Sequence, residues 1–134
     1  MNVIVCLGDN NGLLFNNRRV SRDLTILNDI FKYTDRIYVD NFSSDLIDFY
    51  NLRDKTSFLN IKDVEKGKYY FNEVYNDIKD VEKLIVYFFN RSYPHDFDFI
   101  IRENYILESE EEFAGNSHDL ITKKVYRCNN EKEV

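Results

Sequence analysis

The sequence predicts a single α/β domain on a mixed, mostly parallel sheet, closed by an antiparallel C-terminal hairpin. Three observations carry this reading. Residues 2–7 are a near-continuous apolar run, the pattern of a strand at the centre of a sheet covered on both faces. The segments that follow come in the order strand, helix, strand, helix and then strands, which is the order of an α/β sheet. Two strand-like segments near the end are joined by Ala114-Gly115-Asn116-Ser117, a turn-rich link. At 134 residues the chain fits one domain of the common size, about 100–150 residues.

Each element has its own signal. After the first strand, a polar loop over 8–20 carries Asn10-Asn11-Gly12 and Asn16-Asn17. Ser21 is positioned to cap a helix over 21–33, because its hydroxyl meets free N–H groups of a first turn. Leu24, Leu27 and Phe31, with Ile30 beside them, supply the buried stripe at three- and four-residue spacing. A short strand is expected over 36–40, ending at Asn41. Ser43 or Ser44 then caps a helix over 43–50 with Leu46, Ile47 and Tyr50 facing inward. Residues 51–80 are harder to read, with short strands at 57–61 and 68–71 and a helix over 73–80. The segment 82–90, around Leu84-Ile85-Val86-Tyr87-Phe88-Phe89, is a plain strand. The closing hairpin takes 104–113 and 120–128.

Composition narrows the function. Eighteen Lys and Arg against 24 Asp and Glu give a net charge of -6, which opposes sequence-independent nucleic-acid binding, since that needs cations against phosphates. No apolar run approaches the roughly 18 residues of a membrane span. No basic segment precedes the first strand, so the expectation is a cytoplasmic protein without a secretory leader. Cys6 and Cys128 are the only cysteines and stand in two strands, where reduced, buried thiols are expected. Arg18, Arg19 and Arg22 form a basic knot, and Glu108, Glu110, Glu111 and Glu112 an acidic run; both read first as solvated surface. His95-Asp96-Phe97-Asp98 and His118-Asp119 offer metal-ligand chemistry, but nothing converges on either in sequence, so no metal is expected.

With the elements in order, both ends of the chain resemble dihydrofolate reductase. Val3-Ile4-Val5-Cys6-Leu7 followed by Asn10-Asn11-Gly12 is similar to that family's first strand and the flexible loop after it. Ser21-Arg22-Asp23-Leu24 falls where the family starts a helix with Pro-x-Asp/Glu-Leu. Ile37 to Leu46 resembles the second strand and helix, and the tail with Ser109-Glu110-Glu111-Glu112-Phe113 and Val125-Tyr126 resembles the closing hairpin. The resemblance covers about half the chain and implies a dihydrofolate reductase-like fold truncated in its middle. It also implies roles: Asp23 matches the carboxylate that holds the pterin ring, and Ser43 keeps a hydroxyl used near the cofactor.

The departures bear on function. Asp40-Asn41 stands where the family has Gly-Arg, exchanging a phosphate-pairing cation for an anion and an amide. The glycine pair that cradles the dinucleotide pyrophosphate has no counterpart, because residues 59–104 contain only Gly67. Arg18-Arg19-Val20 replaces the Pro-Trp of the active-site loop. NADPH is therefore not expected as a cofactor, and no other cofactor is implied. A ribonuclease Z type nuclease needs an H-x-H-x-D-H motif that two histidines cannot supply.

The candidate catalytic residue is Asp23, a carboxylate whose pKa desolvation in a cleft would raise. Asn11, Arg18, Arg19, Arg22 and Ser43 are the candidate ligand-binding residues, the arginines as clamps for a carboxylate or phosphate. Three function classes stay open. One is a cofactor-free, reductase-derived domain that binds a small molecule or a protein. Another is an enzyme on a pterin- or nucleotide-like substrate using Asp23. The third is an acidic inhibitor of a basic, nucleic-acid-binding partner. A protein partner or a homodimer is expected, on the strength of the aromatic-rich segment 87–99. A small heterocyclic ligand is the alternative.

Overall fold

The computed structural model describes residues 1–74 and 77–128. Its first strand, β1 (Asn2–Leu7), lies at the middle of a seven-stranded sheet. After β2 (Gly12–Leu13) and α1 (Leu24–Ile30) come β3 (Ile37–Val39), α2 (Ser44–Phe49), β4 (Thr56–Phe58) and β5 (Tyr69–Phe71). The rest is β6 (Lys83–Phe88), β7 (Phe97–Asp98), β8 (Tyr105–Phe113) and β9 (Ile121–Cys128). The sheet order is β4-β3-β5-β1-β6-β9-β8. Strands β4, β3, β5, β1 and β6 run parallel, and β9 alone runs against its neighbours β6 and β8. This is the mixed sheet with a terminal antiparallel hairpin that the sequence predicts.

Period-two alternation divides the core. Ile4 and Ile85 face α1 and α2 and pack with Ile26, Leu27, Ile30 and Leu46. Val3, Val5 and Leu7 face the other way, against Leu13, Leu14, Ile78 and Phe99, which arrive on connecting segments. The two thiols are free and join opposite clusters, Cys6 the helical side and Cys128 the other. Among the described residues no helix is long and apolar enough to cross a membrane.

Several boundaries differ for physical reasons. The first helix begins at Leu24 because Asp23, not Ser21, caps it, accepting from the Thr25 N–H at 2.9 Å. Its buried face is Ile26, Leu27, Asp29 and Ile30, so a carboxylate takes a place in the expected apolar stripe, and Leu24 and Phe31 are only half-buried. Ser43 precedes α2 but makes no cap bond; its hydroxyl is used elsewhere. Of the helix expected over 73–80, residues 73–74 and 77–80 are not helical, and residues 75–76 lie outside the described residues. Of the aromatic segment, Tyr87, Phe89 and Phe99 are core, whereas Phe97 is 49% exposed.

The loop over 8–20 is tied down along its length. β2 pairs antiparallel with β7, Asp9 N–H donates to the Arg91 carbonyl, and Asp96 N–H donates to that of Leu14. Asn10, Asn11, Asn16 and Asn17 all take positive φ, which asparagine tolerates better than most residues. Gly12 has a stricter reason to be glycine: a Cβ there would lie 2.6 Å from the His95 ring.

Candidate functional site

Asp23 is 2% exposed, and its carboxylate is wrapped by the hairpin turn between β8 and β9. Oδ1 accepts from the N–H groups of Thr25 (2.9 Å) and Asn116 (2.8 Å). Oδ2 accepts from Ser117 N–H at 2.8 Å and from His118 Nδ1 at 2.9 Å. The turn comes this close because residue 115 has no side chain. A Cβ on Gly115 would lie 2.6 Å from Asp23 Oδ2 and 2.7 Å from the His118 carbonyl oxygen. Burial pushes the Asp23 carboxyl up, but the Asn116, His118, Ser117 and Thr25 donors outweigh it and hold the group below its ordinary value. The expected upward shift from desolvation is thus outweighed by these donors, which favour the charged carboxylate.

That anion orients His118. With Nδ1–H donated to Asp23, Nε2 is left as an acceptor, facing Ser21 Oγ at 3.0 Å and the Tyr93 hydroxyl at 2.7 Å. The Tyr93 hydroxyl also donates to Ser21 Oγ at 3.2 Å. The imidazole is 4% exposed and stacks on Phe89 at 4.6 Å between ring centres. In the sequence His118 stands out only as a weak metal-ligand pair with Asp119 and Tyr93 only within the aromatic segment 87–99; His118 stands 95 residues from Asp23.

A second polar cluster lies beside the first. Arg19 donates through Nε and Nη2 to the two oxygens of Glu73, at 2.7 and 2.8 Å, and through Nη1 and Nη2 to Asp45, at 2.9 and 3.0 Å. The Ser43 hydroxyl, in a residue 1% exposed, donates to Glu73 Oε1 at 2.6 Å. Between the clusters, lined by Cys6, Ser21, Asp23, Ile26, Phe71, Glu73 and Phe89 among others, remains a cavity of about 10 Å³. That is about the space of one water, against roughly 300–1,000 Å³ for a small-molecule site.

The other predicted residues are dispersed. Arg22 stacks over the Phe49 ring at 3.9 Å. Asn11 donates its side-chain amide to the Phe99 carbonyl at 3.3 Å and so anchors the loop. Arg18 pairs its backbone with Phe15, and its exposed side chain lines an open cleft of about 560 Å³ with Phe15, Asn16, Arg19, Val20, Tyr93 and Pro94. His95 bonds the Tyr93 carbonyl and Asp98. A further cavity, about 640 Å³, is lined by Met1, Ile61, Val64, Ile78 and several charged residues, and takes in none of these residues.

No family model and no curated protein matches the sequence. Among solved structures, the chain is similar to dihydrofolate reductase from Enterococcus faecalis, complexed with NADP(H) and RAB-propyl. The match has a TM-score of 0.65 at 7% identity and covers 97% of both chains. Sequence likeness at that level is nearly absent, while the fold is similar over almost the whole of both chains. The chain is folded as a dihydrofolate reductase-like α/β domain.

Proposed function

We propose that this domain has given up NADPH and acts as a binding protein for a small ligand bearing a carboxylate or phosphate, taken up at the cleft beside Arg18. One observation carries the first half: the Glu73 carboxylate already engages the Arg19 guanidinium and the Ser43 hydroxyl. A cation and a hydroxyl suited to a phosphate are thus satisfied from within the chain. Asp40, where the resemblance expects glycine, adds a second anion and spends it on the Phe42 N–H at 2.8 Å. These residues do not fit a dinucleotide pyrophosphate, which needs donors and cations rather than carboxylates.

The second half follows from what remains open. The closed space beside Asp23 cannot admit a ring, whereas the cleft beside Arg18 is of ligand size. Among the described residues, Arg18 is the guanidinium on its wall with no carboxylate partner, since Arg19 is held by Glu73 and Asp45. The acidic run does not favour an inhibitor that mimics nucleic acid, because Glu108 pairs with Arg127 and Glu111 with Lys123 across the hairpin.

Thermal-shift and calorimetric titrations test both halves. NADPH is expected to leave the melting temperature unchanged, and micromolar NADPH affinity would overturn the proposal. A panel of inorganic phosphate, dicarboxylates and phosphomonoesters should contain a stabiliser whose effect Arg18→Ala removes. A ligand at a hundredfold excess over Kd stabilises by about 2.7 kcal/mol.

A further inference from the structure

From the alignment of Ser21, His118 and Asp23 we infer that the domain carries a nucleophilic serine, Ser21, able to attack esters presented from the Arg18 cleft. The geometry is that of an acid–base–nucleophile relay. Asp23 Oδ2 holds His118 Nδ1–H at 2.9 Å, and the opposite ring nitrogen, Nε2, meets Ser21 Oγ at 3.0 Å. Such an arrangement is recognised by geometry and roles, whatever the fold or chain order. The supports are built in. Asp23 is fixed by three backbone N–H groups, and the imidazole plane is fixed by stacking on Phe89. Asp23 and His118 are closed off, whereas Ser21 and Tyr93 are half-exposed; Ser21 lines the small cavity beside Asp23, and Tyr93, whose hydroxyl lies 3.2 Å from Ser21 Oγ, lines the Arg18 cleft.

The same nitrogen also meets the Tyr93 hydroxyl, and Tyr93 lines the cleft. An imidazole Nε2 has one lone pair, so a single hydroxyl can donate to it at a time. With Ser21 donating to His118 and Tyr93 donating to Ser21, the tyrosine O–H is the one that can turn to a carbonyl oxygen as negative charge develops there.

In the reaction, Ser21 Oγ forms a bond to the ester carbonyl carbon while its proton passes to His118 Nε2. The resulting imidazolium is stabilised by Asp23. The tetrahedral centre collapses with loss of the alcohol, which takes the proton from Nε2. Water then repeats the cycle on the acyl-serine, releasing the carboxylic acid and restoring Ser21. Asp23 acts here as a positioning residue, and Arg18 would favour esters that carry a second, anionic group.

The inference rests on the proposed binding reading only in taking the cleft as the point of entry, and the tests separate the two. The intact protein is incubated with a fluorophosphonate probe, and the adduct is located by mass spectrometry. The expected result is one adduct, on Ser21, absent from Ser21→Ala and formed at least about 100-fold more slowly in His118→Gln, the scale of lost general-base assistance. Tyr93→Phe, which keeps the ring, is expected to slow turnover of mono-p-nitrophenyl succinate more than it slows probe labelling. Arg18→Ala should raise KM for that anionic ester by a larger factor than it raises KM for p-nitrophenyl acetate, and an equal effect on both would remove Arg18 from ester recognition. No adduct on the folded wild type, or an adduct that survives Ser21→Ala, overturns the nucleophile. Ser21→Ala that still binds the anions of the panel leaves the binding reading standing by itself. Should His118→Gln fail to fold, the Ser21→Ala and Tyr93→Phe results decide.

Discussion

Asp23 and Asp29 stand near opposite ends of the same seven-residue helix, both buried, and they are satisfied by different kinds of partner. Asp29 is held by side chains: Lys123 Nζ at 2.7 Å and the Tyr87 hydroxyl at 2.6 Å, with Lys123 also set over the Tyr33 ring at 4.8 Å. Asp23 is held by three backbone N–H groups and a histidine, and beyond the histidine lie two hydroxyls. The first arrangement neutralises a charge with a charge and closes. The second keeps a net anion in place with dipoles and passes its influence outward through a ring. Only the second arrangement ends in hydroxyls, those of Ser21 and Tyr93.

The difference can be broken most sharply at Lys123. Lys123→Met leaves Asp29 buried without its counter-charge, a change that costs about 3–5 kcal/mol. Urea denaturation should show a correspondingly lower midpoint, and a loss below about 1 kcal/mol would mean that the pair is dispensable. Asp23→Asn is the next largest. An amide in place of the carboxylate cannot accept from all four donors, so buried N–H groups go unpaired at about 2–3 kcal/mol. Its distinguishing mark is loss of Ser21 labelling, which Lys123→Met should leave intact in whatever fraction remains folded.

Acid sharpens the comparison. Burial raises both carboxyls, but the N–H donors and His118 at Asp23, and Lys123 and Tyr87 at Asp29, bring both below their ordinary value. Unfolded aspartates protonate near pH 4, at about 3.9. As pH falls the unfolded chain therefore binds protons first. The stability these groups contribute is present above about pH 4 and is lost as pH falls through their lower native values. Urea midpoints measured from pH 6 downward should fall steeply below about pH 4 in the wild type and less steeply in Asp23→Asn. The smallest expected effect is at Ser43. Ser43→Ala removes one donor from Glu73 and should cost about 1 kcal/mol. It should create no NADPH affinity, because Arg19 stays committed.

The elements whose signals are local were the ones open to reading from sequence. β1 is a continuous apolar run, and the β8–β9 pair carries its own turn, so both emerge where expected. β4 and β5 are three residues each; the short strands expected at 57–61 and 68–71 fall on them, β5 almost in full and β4 displaced toward the N-terminus. Asp23 was visible as a candidate because the dihydrofolate reductase resemblance matches it to the carboxylate that holds the pterin ring. Its histidine was not, since only the return of the hairpin brings residue 118 beside residue 23. Glu73 was read as helical because nothing nearby in sequence reveals the guanidinium waiting for it. Gly115, beside a small polar turn, was the one trace of the wrapped carboxylate, and it reads equally well as an ordinary turn glycine.

The position of β9 has a consequence for how the molecule assembles. The last described strand in chain order is not at the rim but between β6 and β8, and its register joins Ile85 to Val125 and Phe88 to Thr122. Contacts distant along the chain, as these are and those of β1 with β6 still more, cost loop closure before they return any packing, which slows folding. A chain emerging from synthesis can pair β1 with β5 and β6 early, yet it holds the open side of β6 without a partner until β9 has been made. Asp23 waits for the same event, because its N–H donors at 116 and 117 and its histidine belong to the turn that delivers β9. Until then the nascent domain carries a solvent-facing carboxylate and a bare strand edge, the kind of surface that strays into pairing with other chains. One turn thus serves both the polar relay and the sheet.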